Sequence, residues 1–297
     1  MARLGARMWL SRCAGGRHLV LFDVASALRQ ARQRKLSTVL TLALACAFDP
    51  AVRAAELVEA ASRAYAEYAS RARQAFIMRA EHAAGPADAD RAPLRQGRVT
   101  VRPGGGDGIL SAPESLIHHW FAALVIPGVT LDQVLAVSRA YRDYPTMFQP
   151  VSRATVLEDD GDSLRIALRM KESAAGMSAT LDMTSRVAYM RQDAQHAYVL
   201  SNAEEIHEIK DPGRATEQRL PAGRDSGYLW RAAALTRFVE QDGGVYMEME
   251  TIGLSRPFPA MMGWMIEPIA RRIGRRSVER SVEEFRQAVL KRYPATQ

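Results

Sequence analysis

The chain has 297 residues, room for one large domain or two small ones, and its 47% hydrophobic residues, 25% charged residues and two cysteines exclude collagen-like, disulfide-scaffold and wholly disordered chains. Its net charge of +7 sits in the first 54 residues, where nine basic residues face two acidic ones; from Ala55 onward 31 basic residues face 31 acidic ones. The basic character belongs to a leader, and bulk charge gives no support to nucleic-acid binding.

In that leader Arg32-Gln-Arg-Lys35 precedes the apolar run Leu36–Phe48, and Val52-Arg53-Ala54-Ala55 follows. This is the order of positive region, apolar region and small-residue cleavage site that marks a secretory signal. The run is shorter than the roughly 20 residues that span a bilayer. Cleavage after Ala54 and export to the periplasm or the exterior are therefore expected, from a translation start downstream of Met1 that would remove the long preamble. Leu42-Ala-Leu-Ala-Cys46 also resembles a bacterial lipobox, a second reading in which Cys46 carries a lipid anchor, with Leu44 a poor fit. In the first reading Cys13 and Cys46 both leave, and the remaining chain has no thiol for a disulfide, a thiolate metal site or a nucleophile.

Residues 56–81 lack Gly and Pro and repeat apolar residues near helical spacing at Leu57, Ala61, Ala64, Tyr68, Ala72, Ala75 and Phe76, which predicts one amphipathic helix. From Ala84 to Pro113 the chain is loaded with Gly, Pro and Asp, as a linker would be, with one short strand at Arg98–Arg102. Leu116–Ile126 reads as a strand, and Thr130, with Gln133 three residues on, caps a helix to Tyr141. Beyond Met147 the period becomes two, with Leu164, Ile166, Leu168 and Met170 alternating with Arg165, Ala167, Arg169 and Lys171. Further strands are expected at Ser178–Met190, His196–Ile206, Tyr228–Glu240 and Val245–Leu254, with hairpin turns at Asp159-Asp-Gly-Asp162 and Gln241-Asp-Gly-Gly244. A helix from Pro259 to Leu290 closes the chain, kinked or broken at Pro268 and Gly274. The expected organisation is a leader at 1–54 with its signal at 32–54, an N-terminal helix and linker at 55–111, and a ligand-binding domain at 112–297.

A long antiparallel run followed by one large helix must bury one sheet face under that helix. At this point the chain resembles the START-related, or helix-grip, superfamily (SRPBCC, polyketide cyclase-like) of lipid-transfer proteins, aromatic polyketide cyclases and related ligand binders. The likeness covers about residues 112–290. It is carried by Ile126-Pro-Gly-Val-Thr-Leu-Asp-Gln-Val134, Tyr141-Arg-Asp-Tyr144, Gly227-Tyr-Leu-Trp230, Asp242–Arg256 and the helix up to Val289. The resemblance implies an α+β fold: a curved antiparallel sheet wrapped around a long C-terminal helix with an apolar cavity between them. The N-terminal helix is an addition to that pattern.

Several motifs suggest chemistry and are outweighed by their context. Gly161-Asp-Ser-Leu164 and Asp193-Ala-Gln-His196 spell fragments of a serine-esterase site, but Ser163 follows a hairpin turn and enters an alternating strand, where that nucleophile needs a strand-to-helix turn. His118 and His119 are adjacent on a strand and point to opposite faces, so they cannot readily share a metal. Gly104-Gly-Gly-Asp-Gly108 lacks the Gly-Lys-Ser/Thr ending of a phosphate loop and reads as a flexible connector. Arg271, Arg272, Arg275 and Arg276 form a basic stripe that could touch an anionic membrane, against Glu279, Glu283 and Glu284 on the same helix.

Methionine and aromatic residues accumulate on the elements expected to face each other. Core and cavity lining are nearly equal readings of such a set, and the resemblance favours lining. The expected ligand-binding residues are Trp120, Met170, Met183, Tyr198, Trp230, Ala234, Phe238, Met247, Met249, Met262, Met265 and Ile269. In the strand Tyr228–Glu240, the residues Trp230, Ala232, Ala234, Thr236 and Phe238 share one face, and two large aromatics flanking small residues leave room for a ligand. The expected function is that of an exported, monomeric binding or carrier protein for a hydrophobic, lipid-like or polycyclic molecule. No catalytic residue, cofactor or metal is called for. The alternatives are a cyclase or dehydratase using His118, Tyr189 or Tyr198, and a membrane-surface lipoprotein.

Overall fold

A computed structural model describes residues 55–82, 88–174, 177–258 and 263–294. The leader with Cys46 and the cleavage site after Ala54 lie outside these residues, as do Met262 and the side chain of Met265. In chain order the elements are β1 (Ala55–Glu56), α1 (Glu59–Glu81), α2 (Asp88–Arg95), β2 (Thr100–Pro103), β3 (Ile109–Ala112), β4 (Ser115–Pro127), α3 (Leu131–Ser138) and α4 (Tyr144–Met147). Then come β5 (Val151–Asp159), β6 (Ser163–Ala174), β7 (Met177–Arg191), β8 (His196–Lys210), β9 (Gln218–Arg219), β10 (Arg224–Asp225), β11 (Arg231–Gln241), β12 (Gly244–Ser255) and α5 (Gly263–Arg292).

Ten strands form one antiparallel sheet in the order β2-β4-β12-β11-β8-β7-β6-β5, with β3 on the same edge of β4 as β2 and β9 on β8. Local chemistry explains the expected elements. Thr130 and Gln133 form a reciprocal capping box at the start of α3. Asp242 and Gly243 both take positive φ, 51° and 75°, as a tight two-residue hairpin turn between β11 and β12 demands. Helix α5 runs unbroken through Pro268 and Gly274, contrary to the expected break. Pro268 stands in the second turn and forfeits one backbone bond there, while Val278, Val282, Phe285 and Val289 anchor the helix in the core.

The same helix touches both ends of the sheet. Those four residues pack with Trp120, Ala122, Leu124 and Ile126 of β4, and Arg280 reaches Glu172 of β6 at 3.1 Å. Five strand spacings separate β4 from β6, about 24 Å in a flat sheet, roughly twice the diameter of a helix. The sheet must therefore curl around α5, which is the helix-grip arrangement.

The opposite, outer face is covered as well. Ala61 and Tyr65 of α1 pack on Ile117, Trp230, Ile252 and Leu254, and Phe76 and Ala80 on Tyr198, Leu200 and Leu235. Leu94 of α2 packs on Ala123 and Tyr246. The N-terminal helix is thus a second layer on the back of the sheet. The segment expected to be a linker also differs: β2 and β3 pair with β4, and the Gly104–Gly108 connector lies flat against side chains. A Cβ at Gly104 would sit 2.3 Å from the His119 ring, and one at Gly108 would sit 2.2 Å from Trp120. These glycines permit close approach, so the connector is a packed turn and not a flexible one.

Candidate functional site: the hollow under the C-terminal helix

Because strand side chains alternate, the register fixes which residues look toward α5. Reading across β4, β12, β11 and β8 gives the rows Leu124–Met247–Phe238–Ala197, Ala122–Met249–Thr236–Val199 and Trp120–Thr251–Ala234–Ser201. A fourth row starts His118–Gly253–Ala232. The first row is closed: Leu124, Met247, Phe238 and Ala197 are buried, and Phe238 lies 6.0 Å from Phe285 of α5. From Thr236 onward the inner face opens. Ala232, Ala234, Thr236, Met249, Thr251 and Ser201 are partly exposed, while outward-facing Leu235, Arg237, Glu248, Glu250 and Ile252 on β11 and β12 are buried. This more open stretch of the inner face, under the covering helix, is the candidate ligand site, because close packing would leave no such access.

Small residues make the floor: Gly253, Ala232, Ala234, Thr251 and Ser201. Met183 packs with Ile206, Leu229, Tyr228 and Ala232 at one wall, and Met170 and Met249 are partly exposed beside it. Trp120 is wedged between Gly108 and Gly274 of α5. Polar groups gather at the rim. Arg280 pairs with Glu172, and both act on Tyr228, whose hydroxyl is pushed up to about 12, by burial first and by Glu172 second, against the lowering pull of Arg280. His118 Nε2 lies 2.8 Å from Ser255 Oγ on the inner face, and burial pulls the imidazole down to about 4, so it is neutral at physiological pH.

Trp120, Met170, Met183, Ala234, Phe238, Met247 and Met249 therefore share the inner face, with Phe238 and Met247 in its closed end. Three expected residues do not join them. Tyr198 points outward and stacks edge-on against Phe76 of α1 at 6.0 Å. Trp230 precedes β11 and lies in the outer cluster, its indole N–H donating to Asp225 at 3.0 Å. Strand alternation does not reach it, because regular pairing begins at Arg231. Ile269 is exposed on α5.

Sequence reasoning missed a buried charge cluster on the outer face. Glu250 accepts from Arg79 of α1 at 2.6 Å and pairs with His119 Nε2 at 2.8 Å, and His119 Nδ1 meets the Tyr68 hydroxyl at 2.8 Å. Glu248 accepts from Tyr246 at 3.0 Å and pairs with Arg237 at 3.3 Å. Phe121 lies beneath the guanidiniums of Arg102 and Arg79 at 3.8 and 5.3 Å. The alternation of Met247 and Met249 with Glu248 and Glu250 was the available signal, but it reads as a wet outer face. The two histidines do diverge as expected, His118 inward and His119 outward.

The esterase fragments stay structural. Ser163 opens β6 opposite Ala188, and the Asp193 carboxylate holds His196 at 2.9 Å within the β7–β8 turn. A surface recess of about 320 Å³ lies at the strand ends beside α3, lined by Asp132, Arg139, Asp162, Tyr189, Met190 and Arg191 among others. Its charges are paired, Arg139 with Asp162 and Arg191 with Asp132.

With this geometry in hand, solved structures of similar architecture can be compared. The architecture is an antiparallel sheet gripping a C-terminal helix. A Thermus thermophilus protein, TTHA0849, matches 58% of this chain and 97% of its own at 12% identity, with a TM-score of 0.42. The ZhuI aromatase/cyclase from Streptomyces sp. R1128 matches 59% and 93% at 16% identity, with a TM-score of 0.38. A STAR-related lipid transfer protein from Xanthomonas axonopodis matches 62% and 97% at 15% identity, with a TM-score of 0.35. No protein-family model and no curated protein matches the sequence.

Proposed function

We propose that this protein binds an apolar small molecule in the hollow between the sheet and α5, and carries or sequesters it without converting it. The observation that supports this most is the reversed burial of β11 and β12: inner Ala234, Thr236 and Thr251 are accessible, while outer Leu235, Glu250 and Ile252 are not. Methionines at the wall suit a ligand of variable shape, since their side chains adapt at low cost. Turnover is the less favoured reading. A general acid or base works best with a pKa near the operating pH, whereas burial lowers His118 to about 4 and raises Tyr228 and Tyr189. The proposal includes export through the leader. It also includes peripheral contact with anionic membrane through the first half of α5, where Arg272, Arg275, Arg276 and Ile269 are exposed. Arg271 takes a different role, since it is engaged with Asp107 at 2.9 Å and Glu267 at 2.5 Å.

Titration with Nile red tests the binding reading: saturable one-to-one binding with a blue-shifted emission is expected, and its absence sinks the proposal. Cosedimentation with vesicles tests the membrane part. Phosphatidylglycerol vesicles should retain the protein and phosphatidylcholine vesicles should not, with the difference lost when Arg272, Arg275 and Arg276 are changed to Gln.

A further inference from the structure

The short strand β1 ties the residues just ahead of α1 to the loop that carries Trp230. Ala55 and Glu56 pair antiparallel with Asp225 and Arg224 of β10, and the Leu57 N–H donates to the Gly223 carbonyl at 2.7 Å. Carried back two residues in the same register, that bond makes Ala55 and Asp225 a closely spaced pair, with Cα atoms about 5.5 Å apart and the Ala55 nitrogen turned toward β10. Asp225 is 2% exposed, yet neutral donors alone hold its carboxylate: Oδ1 accepts from the Gly227 N–H at 2.7 Å and from the Trp230 indole at 3.0 Å. Among the described residues no Arg, Lys or His forms an ion pair with it. Its acidic neighbour Glu208 is engaged with the Ser226 N–H at 3.0 Å. Burial first, with Glu208 adding to it, holds the Asp225 carboxyl above its ordinary value, against the lowering pull of the two hydrogen bonds and of His207. Buried carboxylates are ordinarily paired with a cation, as Glu250 is with Arg79. This one lacks its counter-charge.

We propose that the α-ammonium created at Ala55 by leader removal pairs with Asp225, so that processing locks β1 and the start of α1 onto the back of the sheet. This rests on the export and cleavage proposed above. Hydrolysis adds water across the Ala54–Ala55 bond, leaves a carboxylate on Ala54 and frees the Ala55 amine. With an ordinary pKa of about 7.7–8.0 that amine takes up a proton at neutral pH. A neutral peptide N–H thus becomes a cation with three donors, one for the Asp225 carbonyl and the others for its carboxylate, and charge-assisted bonds are the stronger kind. The lock acts on both partners of the outer cluster. Asp225 holds the Trp230 indole, and Trp230 packs with Leu57, Val58, Ala61 and Tyr65 around the start of α1. In the uncleaved chain the same nitrogen is an amide, and Asp225 stays without its cation.

Exported protein tests this in two ways: the rate at which acetic anhydride acylates its α-amine at neutral pH, read by mass spectrometry of the N-terminal peptide, and the urea midpoint. Asp225→Asn keeps an oxygen for Gly227 and Trp230 and removes the charge. It should speed acylation about tenfold, because only the unprotonated amine reacts and the pair holds the ammonium form, and it should lower the urea midpoint. Inserting Gly-Ser between Ala54 and Ala55 keeps the cleavage site and moves the ammonium two residues away. The inserted chain should react at the fast rate, and Asp225→Asn should lower its midpoint less than it does in the normal chain. Should Asp225→Asn fail to fold, the insertion alone decides, through a faster amine and a lower midpoint. A wild-type amine as reactive as that of the inserted chain, or equal midpoint losses on Asp225→Asn in both chains, overturns the lock while export and cleavage stand. A wild-type N-terminus other than Ala55 overturns the cleavage, and the lock with it.

Discussion

Two alanines on the same face of the sheet should respond in opposite ways to the same substitution. Ala234 lies in the open row between Thr251 and Ser201, whereas Ala122 is 1% exposed and belongs to the closed core under α5. Tryptophan at 234 has a hollow to enter. Its ring would remove on the order of 150 Å² of apolar surface from water, a gross gain of up to about 4 kcal/mol, set against rotamer and fitting costs of similar size. The melting temperature should move little, and Nile red binding should disappear because the space is filled. Tryptophan at 122 has no space to enter, so overpacking should cost about 1–3 kcal/mol or more. At about 2–4 °C per kcal/mol for a chain of this size, the expected fall is about 2–12 °C. Differential scanning fluorimetry on both variants, with a Nile red titration alongside, reads the contrast. Equal melting losses would show that both sites are close-packed, and a stable Ala234→Trp protein that still bound the probe would place the ligand elsewhere.

Three further outcomes are expected. Burial holds His118 at about 4 in the folded chain, below the ordinary value of about 6.5 that it regains on unfolding, so the unfolded state takes up its proton first as pH falls. Its contribution should be fully present above about pH 6.5 and lost between there and pH 4, by up to about 3 kcal/mol, and His118→Gln should flatten that part of the pH–stability curve measured by urea unfolding; an unchanged slope counts against the buried neutral imidazole. Arg79→Met removes the 2.6 Å partner of the buried Glu250 and should lower stability by about 1–3 kcal/mol through a carboxylate left with His119 alone, seen as a lower denaturant midpoint; no shift would mean that α1 contributes little to that face. Exported protein should begin at Ala55 by intact mass, an acylated start at Cys46 would favour the lipid anchor, and an intact leader on cytoplasmic protein would refute both.

The strands, turns and caps were legible because their signals are local. The Thr130–Gln133 box, the Asp242–Gly243 turn and the period of two in β6 depend on neighbours within a few residues. The sequence by itself therefore determined the order of the main elements from β4 onward, and with it a sheet that had to bury one face on the last helix. Which residues meet across that sheet was decided only in three dimensions. Alternation says that Met247 and Met249 oppose Glu248 and Glu250, but not that α1 returns to bury the glutamates beneath Arg79 and Tyr68. The bulge between Thr184 and Ser185, where β8 places Glu205 and then Ala203 opposite, returns Ile206 to the face of Ala203 and breaks the parity that a sequence reader would carry along the strand. Tyr198 and Trp230 were misplaced for the same kind of reason. An aromatic residue is equally at home under either layer, and only the docking of α1 shows that the back of the sheet is also a core. The inner face of β11 was partly legible, as small residues leading to Phe238, but Trp230, expected beside them, lies on the other face, and the rows that cross β4, β12, β11 and β8 depend on a register that no local pattern encodes.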